Sequence, residues 1–511
     1  MSNRPAGFPT ASAAQELIDG AFALETSYAA AIHDGLNLAD LAHVLDLRAR
    51  DVIPEPAAVA LLGALLDIDA IPAADFPYDS ADGEPYNSRE RVLVERIGDT
   101  AGWLHAGRPR REATRIAFRL HLRRRLTGLI GDTAALGAAL GERAAATLEL
   151  LFGDQTYLQQ AQPSTMGHYL LSFAYPVLRD AERLIGALDW VNRSPGGAGC
   201  VNGTSLRPDR ESLAERLGFD SVIANTRDAM WQTDGLVDLL AAIASVAMTQ
   251  DGLAEDLEIW STSEFDIVNL GEGFTRASVL MPQKRNPYAL SMIRGAAGVV
   301  TGRVAGFLAL QKGPSARSDK LIFAYAEIPE TLDAAGRILR LTRGVVDSLT
   351  FNDTRLRFLL DNGFSQATDL ADHVMTACGL DYRSAYRIVG TAVHRVAASG
   401  RRGLDVTVDD LSDAAREVTG SPLELDPESL DHSLDPAAIV ASRTGTGGAA
   451  PAPAKAMVAE IADWSARLAD TARQRAAAFA AADAALRAQA ASVAARPPLP
   501  PSETACRGGM P

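Results

Sequence analysis

Cysteine is scarce in this chain of 511 residues. Only Cys200, Cys378 and Cys506 occur, and they lie far apart in the sequence. A disulfide framework or a structural zinc site needs more cysteines at closer spacing, so we expect neither. We predict that the three thiols are small apolar fillers or, for the last of them, part of a tail.

The chain also lacks an excess of basic residues. Its 49 Lys and Arg residues are outnumbered by 64 Asp and Glu residues, which gives a formal net charge of −15. Binding to nucleic acid or to an anionic membrane requires a basic surface. We therefore predict neither a nucleic-acid partner nor a membrane partner.

Long hydrophobic runs are missing as well. The most apolar stretch, residues 236–248, contains Asp238 and is shorter than the roughly 18 residues that a membrane-spanning helix needs. The first 15 residues are polar and lack the apolar segment of a signal peptide. We therefore expect a cytoplasmic protein.

Helix-forming residues dominate what is present. Ala, Leu, Arg and Glu are abundant, and apolar residues recur at intervals of three and four, which predicts an all-α fold. Only residues 404–408 have the pattern of a short strand. Long helices are predicted at residues 116–130, 168–188 (with a kink at Pro176), 227–260 and 287–311. Helices of this length need partners for their apolar stripes, which favours a bundle across a subunit interface.

These patterns divide the chain into four parts. They are an N-terminal helical domain (1–112), a central helical bundle (113–362), a small C-terminal helical domain (363–480) and a disordered Pro-rich tail (481–511).

Residues 277–288 are the stretch with the most specific chemistry. They read Ala-Ser-Val-Leu-Met-Pro-Gln-Lys-Arg-Asn-Pro-Tyr, and two glycines precede them. A loop that carries the hydroxyl of Ser278, the ammonium group of Lys284 and the amide of Asn286 into a helix N-terminus can hold a carboxylate. A surface loop that only caps the helix fits the same residues.

This stretch resembles the signature loop of the fumarase/aspartase superfamily, and most closely that of its argininosuccinate lyase branch. That branch reads Gly-Ser-Ser-Leu-Met-Pro-Gln-Lys-Lys-Asn-Pro-Asp. Further stretches resemble the branch in the same order along the chain: residues 98–110, 156–168, 192–199, 367–372 and 441–448. On these motifs the chain is identified as a member of the superfamily.

The resemblance implies a three-domain all-α lyase whose long central helices form a bundle shared in a homotetramer. In such enzymes, motifs from three subunits build each active site, and the substrate is a small dicarboxylate. A base removes a proton next to one carboxylate of a substituted succinate, and an amine or similar group then leaves, usually with release of fumarate. Neither a metal nor an organic cofactor is implied.

The matching positions give the candidate site residues. Ser278 matches the catalytic base, and its alkoxide would need Lys284 and backbone N–H groups around it. The second Ser of the family pair is Val279 here. The substrate carboxylates and the developing negative charge would be held by basic, amide and hydroxyl groups, namely Arg108, Arg110, Thr156, Gln162, Lys284 and Asn286.

The catalytic His of the family and its partner are missing. Tyr157 replaces the His, and Ser291 replaces the Glu that orients it. Both partners are absent together, which indicates a coordinated change. Tyr157 either donates a proton through its phenol or only lines the pocket.

The half of the site that recognises the leaving group also differs from the family. Arg111 replaces an Asn that would contact substrate, and it either binds substrate or pairs with Glu112. In residues 314–325, which match the segment that recognises the leaving group in the family, Arg317, Ile322 and Tyr325 replace a Tyr, a Gln and a Lys. Argininosuccinate is therefore not the expected substrate. The new Arg111 and Arg317 would favour an amine that carries its own anionic group.

We predict an argininosuccinate lyase-like carbon–nitrogen lyase that eliminates an amine from an N-substituted aspartate to give fumarate, or that catalyses the reverse addition. Two alternatives remain open. One is elimination of a nitro, hydrazine-like or oxygen leaving group from a substituted succinate. The other is a non-catalytic scaffold, which the missing His–Glu pair would fit but the retained signature loop would not need.

Overall fold

The structure of the chain is a computed structural model that describes residues 13–495. Helices dominate it and the strands are few and short, which confirms the prediction of an all-α fold. The N-terminal part contains α1 (Gln15–Leu17), a π-helical turn (Ile18–Phe22), α2 (Ala23–Ser27), α3 (Ala29–Ala49), α4 (Glu55–Asp69), α5 (Pro85–Ile97) and two 3₁₀ segments (Ser80–Asp82 and Gly98–His105).

The central part is built around one long helix, α6 (Arg110–Ala145). Its 36 residues make it about 54 Å long. The other helices of this part are α7 (Met166–Val191), α8 (Arg210–Arg216), α9 (Thr226–Trp231), α10 (Asp234–Trp260), a 3₁₀ turn (Glu272–Phe274), α11 (Tyr288–Leu310), α12 (Asp319–Ser348) and α13 (Asp353–Asn362).

The C-terminal part contains six α-helices in the residues that the structure describes. They are α14 (Ala367–Cys378), α15 (Tyr382–Ala398), α16 (Val408–Thr419), α17 (Pro427–Leu434), α18 (Pro436–Ser442) and α19 (Pro451–Ala494). The first four of these helices bury an apolar cluster of their own, which runs from Leu370 to Leu434. α19 instead returns to the central bundle and packs along α6, α4 and α7.

Close helix packing around α6 depends on a small residue at the contact with α19. A Cβ added to Gly141 would lie 2.8 Å from Cγ2 of Ile461 in α19, so a larger residue would push the two helices apart. The same helix also packs against α3, α7 and α12. α6 is therefore the central helix of the bundle, and positions along the bundle are given relative to its two ends.

Three details of the sequence prediction are wrong. The predicted helix 227–260 is two helices, because Gln232 adopts an extended backbone between them. Residues 404–408 form no strand: they contain most of a 3₁₀ turn (Gly403–Asp405), and Thr407 caps α16 by accepting the N–H of Asp410. The predicted disordered tail is helical over residues 481–494, where apolar residues are buried against the bundle; residues 496–511 lie outside the described part.

Between residues 13 and 495, the strands form four two-stranded sheets. The largest is the hairpin of β1 (Leu151–Thr156) and β2 (Gln159–Thr165). The remaining pairs are β3 (Arg193–Ser194) with β4 (Ser221–Val222), β5 (Val268–Asn269) with β8 (Thr350–Phe351), and β6 (Arg276–Ala277) with β7 (Arg285–Asn286).

Two helices, α10 and α11, are long and apolar enough to cross a membrane by length and composition alone. Half of the most apolar window of α10 is buried in the protein, but only 22% of that of α11 is buried. Core helices of water-soluble proteins pass the same test. In the single chain, Met292, Val299 and Leu308 of α11 are each about half exposed.

Candidate active site

The signature loop, residues 270–287, connects α10 to α11 and ends in a short hairpin. β6 and β7 pair Arg276 with Asn286, and the Asn286 side-chain amide donates to the carbonyl of Arg276 at 2.9 Å. At the tip, Val279 and Leu280 are almost completely exposed. The loop therefore projects from the protein.

Ser278 lies at the start of this tip, and backbone groups hold its hydroxyl oxygen. Oγ accepts the N–H of Leu280 at 3.3 Å and the N–H of Met281 at 3.0 Å. Its own N–H donates to the carbonyl of Lys284 at 3.3 Å. Two N–H groups directed at one oxygen stabilise negative charge on that oxygen, which is the requirement for a serine base.

Lys284 supplies a free positive charge on the same loop. Its side chain is exposed and has no ion pair or hydrogen bond within residues 13–495. The loop thus brings together three of the predicted site residues, Ser278, Lys284 and Asn286, and leaves the ammonium group available for a ligand.

The β1–β2 hairpin carries Thr156 and Tyr157 at its tip. Tyr157 and Leu158 form its two-residue turn, and both have positive φ values, 54° and 59°. Positive φ is unfavourable for residues with large side chains, so this turn is strained. Tyr157 is 99% exposed, and Thr156 and Gln162 are also exposed. The hairpin therefore presents these side chains outward.

The hairpin and the signature loop lie at the same end of the bundle. Trp260, the last residue of α10, packs its ring 5.2 Å from that of Phe152 and donates Nε1–H to Oε1 of Gln155 at 3.4 Å. The chain then enters the signature loop, where the N–H of Gly271 donates to Ser348 Oγ at the end of α12. This end of the bundle is the C-terminal end of α6.

The predicted arginines lie at the opposite end. Arg110 and Arg111 occupy the first turn of α6, and Arg108 precedes it. Since α6 is about 54 Å long, these residues and Ser278 cannot meet within one chain. The structure thus separates the predicted residues into a base group (Thr156, Tyr157, Gln162, Ser278, Lys284 and Asn286) and an arginine group (Arg108, Arg110, Arg111 and Arg317).

Arg108 is enclosed in the protein and fully bonded. Its guanidinium donates to the carbonyl of Ala39 at 3.0 Å and to the hydroxyl of Tyr86 at 2.7 Å, and it pairs with Asp40. These bonds attach the start of α6 to α3 and α5. Arg110 is more accessible: it is half-buried, donates to Asn87 Oδ1 and lies 3.4 Å from Glu84.

Arg111 and Arg317 both have carboxylate partners. Nη1 of Arg111 lies 2.9 Å from Oε2 of Glu25 and 3.2 Å from Oε2 of Glu84. Arg317 is exposed and pairs with Asp319 at 3.1 Å. The free positive charges expected at these two positions are therefore already balanced, and the alternative pairing of Arg111 with Glu112 does not occur.

Comparison with known proteins places these motifs in one family. The pattern described as Lyase matches residues 47–302, and the pattern described as Argininosuccinate lyase C-terminal matches residues 364–441. Argininosuccinate lyase of Halobacterium salinarum is 36% identical over 427 residues, which cover 83% of this chain and 86% of the relative. That of Methanothermobacter thermautotrophicus is 31% identical over 425 residues, which cover 83% and 90%. The chain belongs to the argininosuccinate lyase branch of the fumarase/aspartase superfamily.

Solved structures agree with this family. An EDDS lyase variant with bound fumarate matches with a TM-score of 0.85 at 25% identity, over 95% of this chain and 97% of that chain. Class II fumarase from Schistosoma mansoni matches with a TM-score of 0.66 at 15% identity, over 81% and 90%, which shows the common fold alone. The predicted superfamily and the predicted class, a carbon–nitrogen lyase, are confirmed.

Within residues 13–495, no other His–Glu pair near the signature loop replaces the pair that the resemblance led us to expect. Ser291 donates to Oε1 of Glu258 at 2.8 Å, and the other oxygen of that carboxylate accepts from Arg294 at 3.0 Å. Glu258 is thus held by α11. In the described residues, no group of three or more His, Cys, Asp or Glu side chains is arranged to hold a metal ion.

Sequence reasoning missed the function of Glu112. Its carboxylate is 1% exposed and accepts the N–H groups of Gly197 and Gly199 at 2.7 Å each. Both glycines have positive φ, so this turn needs residues without a side chain. Burial raises the pKa of the Glu112 carboxyl to about 7, although Arg108 and the two N–H groups act in the opposite direction. Glu112 therefore attaches a glycine-rich turn to the start of α6, beside Arg110 and Arg111.

We expect the stability difference between the wild type and the Glu112→Gln variant to depend on pH. The native carboxyl keeps its proton up to about pH 7, whereas an ordinary glutamic acid releases it near 4.5. Between these values the native state binds more protons, so the free energy of unfolding decreases as pH rises, by at most about 1.4 kcal/mol per pH unit. Gln does not titrate and lacks this contribution.

Thermal unfolding of both proteins across this pH window measures the effect. The melting temperature of the wild type relative to the variant should fall as pH rises. A difference that stays constant with pH would show that Glu112 does not titrate there.

Proposed function

We propose that this lyase eliminates an amine from an N-substituted aspartate to give fumarate, and that it catalyses the reverse addition. The hydroxyl oxygen of Ser278, held by two backbone N–H groups on the signature loop, carries this proposal. Two observations on relatives support it: the similar sequences are argininosuccinate lyases, and the similar EDDS lyase structure contains fumarate.

Ser278 acts as the base in this mechanism. Its alkoxide takes the proton from the carbon next to a carboxylate of the succinyl half, and the electron pair moves into that carboxylate. Leu280 N–H, Met281 N–H and the Lys284 ammonium group stabilise the oxygen before the transfer. The carbon–nitrogen bond then breaks, fumarate forms, and the departing amine takes up a proton.

Tyr157 is the residue that we propose beside the leaving group. The strained turn directs its phenol away from the described residues of its own chain, where it is open to a ligand or to another subunit. A phenol in this position either donates the proton to the amine or closes the pocket around it. Thr156 and Gln162 on the same hairpin, with Arg110 and Asn286, hold the carboxylates.

We propose that each active site combines the base group of one subunit with the arginine group of another, within a homotetramer. The two groups lie at opposite ends of a helix about 54 Å long, so one chain alone cannot assemble them. The half-exposed apolar side chains of α11, with Met248 of α10, provide the surface for this association. We place the protein in the cytoplasm and assign this apolar surface to subunit contacts instead of lipid.

Arg108 has a different function in this proposal from the one expected. Because its guanidinium is bonded to Asp40, Tyr86 and Ala39, it positions the first turn of α6 and does not contact substrate. Arg110, which is half-buried, is the residue of this turn that remains able to reach a succinyl carboxylate.

Addition of amines to fumarate tests the proposal directly. The full-length protein is mixed with fumarate and a panel of amines, and loss of the fumarate absorbance is followed. We expect N-substituted aspartates as products, and release of fumarate when they are supplied as substrates. Argininosuccinate should be cleaved at least about 100-fold less efficiently than the best member of the panel, because a site lacking partners for its polar groups rejects it.

The same assay distinguishes the other leaving groups. Release of fumarate from substrates with oxygen or nitro groups, but from no N-substituted aspartate, would contradict the proposed reaction. Efficient cleavage of argininosuccinate would contradict the proposed specificity alone.

A further inference from the structure

The helix α15 in the C-terminal part differs in charge from the rest of the chain. It contains three Arg residues and one His residue but no Asp or Glu, although the whole chain has a formal net charge of −15. One face of the helix packs into the apolar cluster of the C-terminal part, and the other face is exposed. A local basic surface on an acidic protein attracts anions.

An open groove runs along the exposed face of α15 and is closed on its other side by the end of α16. Residues one turn apart form two rows on its α15 side, which are Tyr386, Gly390 and His394, and Arg387, Thr391 and Arg395. Two turns separate the first and last residue of each row, so the groove is about 12 Å long. Its volume is about 520 Å³, which suits a small organic molecule.

The middle of this α15 groove is open because Gly390 has no side chain. A Cβ added to Gly390 would meet no atom within 4 Å. The backbone there has no positive φ, so neither the conformation nor a close contact requires glycine at this position. Glycine also lowers the stability of a helix interior. Its effect here is the space that it leaves for a ligand.

The groove presents polar groups that are free to bind a ligand. Within residues 13–495, the side chains of Arg387, Thr391 and His394 have no hydrogen bond or ion pair. On the α16 side, Glu417 pairs with Arg395 through Oε2, and its Oε1 accepts no bond from the described residues. At one end, the ring of Tyr386 is 63% exposed. The groove therefore combines an aromatic ring, free cationic and hydroxyl donors, and a carboxylate oxygen.

We propose that the α15 groove binds a nucleoside monophosphate. Arg387, Thr391 and His394 bind its phosphate, because a guanidinium matches two phosphate oxygens and the other two groups donate further hydrogen bonds. The ring of Tyr386 stacks on the base, and Glu417 accepts hydrogen bonds from the sugar hydroxyls. Among the described residues, the groove includes none of the base group or of the arginine group, so this binding is independent of the proposed reaction.

Calorimetric titration of the full-length protein with AMP tests the site. Ribose 5-phosphate and inorganic phosphate are the comparison ligands. AMP should bind at least about tenfold more tightly than inorganic phosphate, with ribose 5-phosphate between them, because only AMP contacts the ring as well as the polar groups. Equal affinity for AMP and inorganic phosphate would indicate a general anion site and would overturn the nucleotide assignment.

Variants of the groove residues separate the contacts to the phosphate from those to the base. Arg387→Gln should weaken binding of both AMP and inorganic phosphate about tenfold. Tyr386→Ala should weaken binding of AMP about tenfold and leave that of inorganic phosphate within about twofold. Loss of phosphate binding in Tyr386→Ala, or unchanged AMP binding in either variant, would contradict the assigned contacts.

Arg383→Gln is the matched control for Arg387→Gln. Arg383 is also exposed on α15 and has no partner in the described part of the chain, but it lies one turn before Arg387 and does not line the groove. Its removal should leave the affinity for AMP within about twofold. Equal losses in the two variants would mean that the basic helix attracts anions without a defined site, which would overturn the proposal.

A third variant, Gly390→Leu, fills the groove without removing a polar group. AMP binding should be lost, and the melting temperature without ligand should stay the same or rise, because leucine favours helix and a side chain there has space. AMP binding that persists in Gly390→Leu would place the nucleotide elsewhere on the protein and would overturn the assignment to this groove.

Discussion

The Ser278→Ala variant should lose turnover by about 10³-fold or more while binding its substrate almost as well as the wild type. The hydroxyl matters when the proton leaves carbon, so its removal should lower kcat and leave KM within a few-fold. The methyl side chain of Ala also removes the acceptor for the N–H groups of Leu280 and Met281. Water can hydrate these N–H groups because the tip of the loop is exposed, so we expect little change in melting temperature.

Two controls make this result specific to the base. Ser263→Ala changes another exposed serine, which precedes the signature loop and whose hydroxyl donates to Oε2 of Glu264 at 3.1 Å, and it should retain full activity. Exchange of the substrate C–H proton with deuterium from solvent, followed by NMR, should stop in Ser278→Ala. Continued exchange at the wild-type rate would show that another group removes the proton.

The sequence was sufficient to predict that Ser278, Lys284 and Asn286 lie together on one loop, because they are close to one another along the chain. Ser278, Lys284 and Asn286 lie within nine positions of one another, and the short β6–β7 pairing brings them together. The all-α fold follows in the same way from periodicity that is visible in the sequence. Features that depend on neighbouring residues, such as the helices and the signature loop, were therefore predicted with few errors.

The arrangement of the arginines could not be predicted, because it depends on contacts between distant parts of the chain. Arg111 pairs with Glu25, which is 86 positions away, and Arg115 bonds to Tyr325 over 210 positions. The adjacent Glu112 is the most plausible partner of Arg111 in the sequence, but it bonds to the Gly197 turn instead. These long-range contacts decide which arginine side chains have a carboxylate partner and which do not.

The β1–β2 hairpin shows a second limit of sequence reasoning. Its strands contain Gln155, Gln159, Gln160 and Gln162 and have no clear alternation of polar and apolar residues. The turn residues Tyr157 and Leu158 are also unlike the Asn-Gly or Gly-Gly pairs that mark such turns. Only the resemblance to the family assigned this segment to the candidate site.

Active sites that are assembled from different subunits are central to the proposed function. Ser278 and Arg110 lie at opposite ends of α6, so a site formed in one chain cannot contain both. We expect Ser278→Ala and Arg110→Ala to be inactive when each is assembled alone, and we expect the two variants to complement each other. In a mixed tetramer, a site that takes its base group from the Arg110 variant and its arginine group from the Ser278 variant has both intact residues.

Mixing the two variants is the most direct test of this claim. Equal amounts are unfolded together, refolded, and assayed for addition of amine to fumarate, with each variant refolded alone as the control. Random assembly should restore about a quarter of the wild-type activity, because each site draws its two groups independently from the two kinds of subunit. Mixtures that remain as inactive as the separate variants, although light scattering shows tetramers, would contradict the shared site.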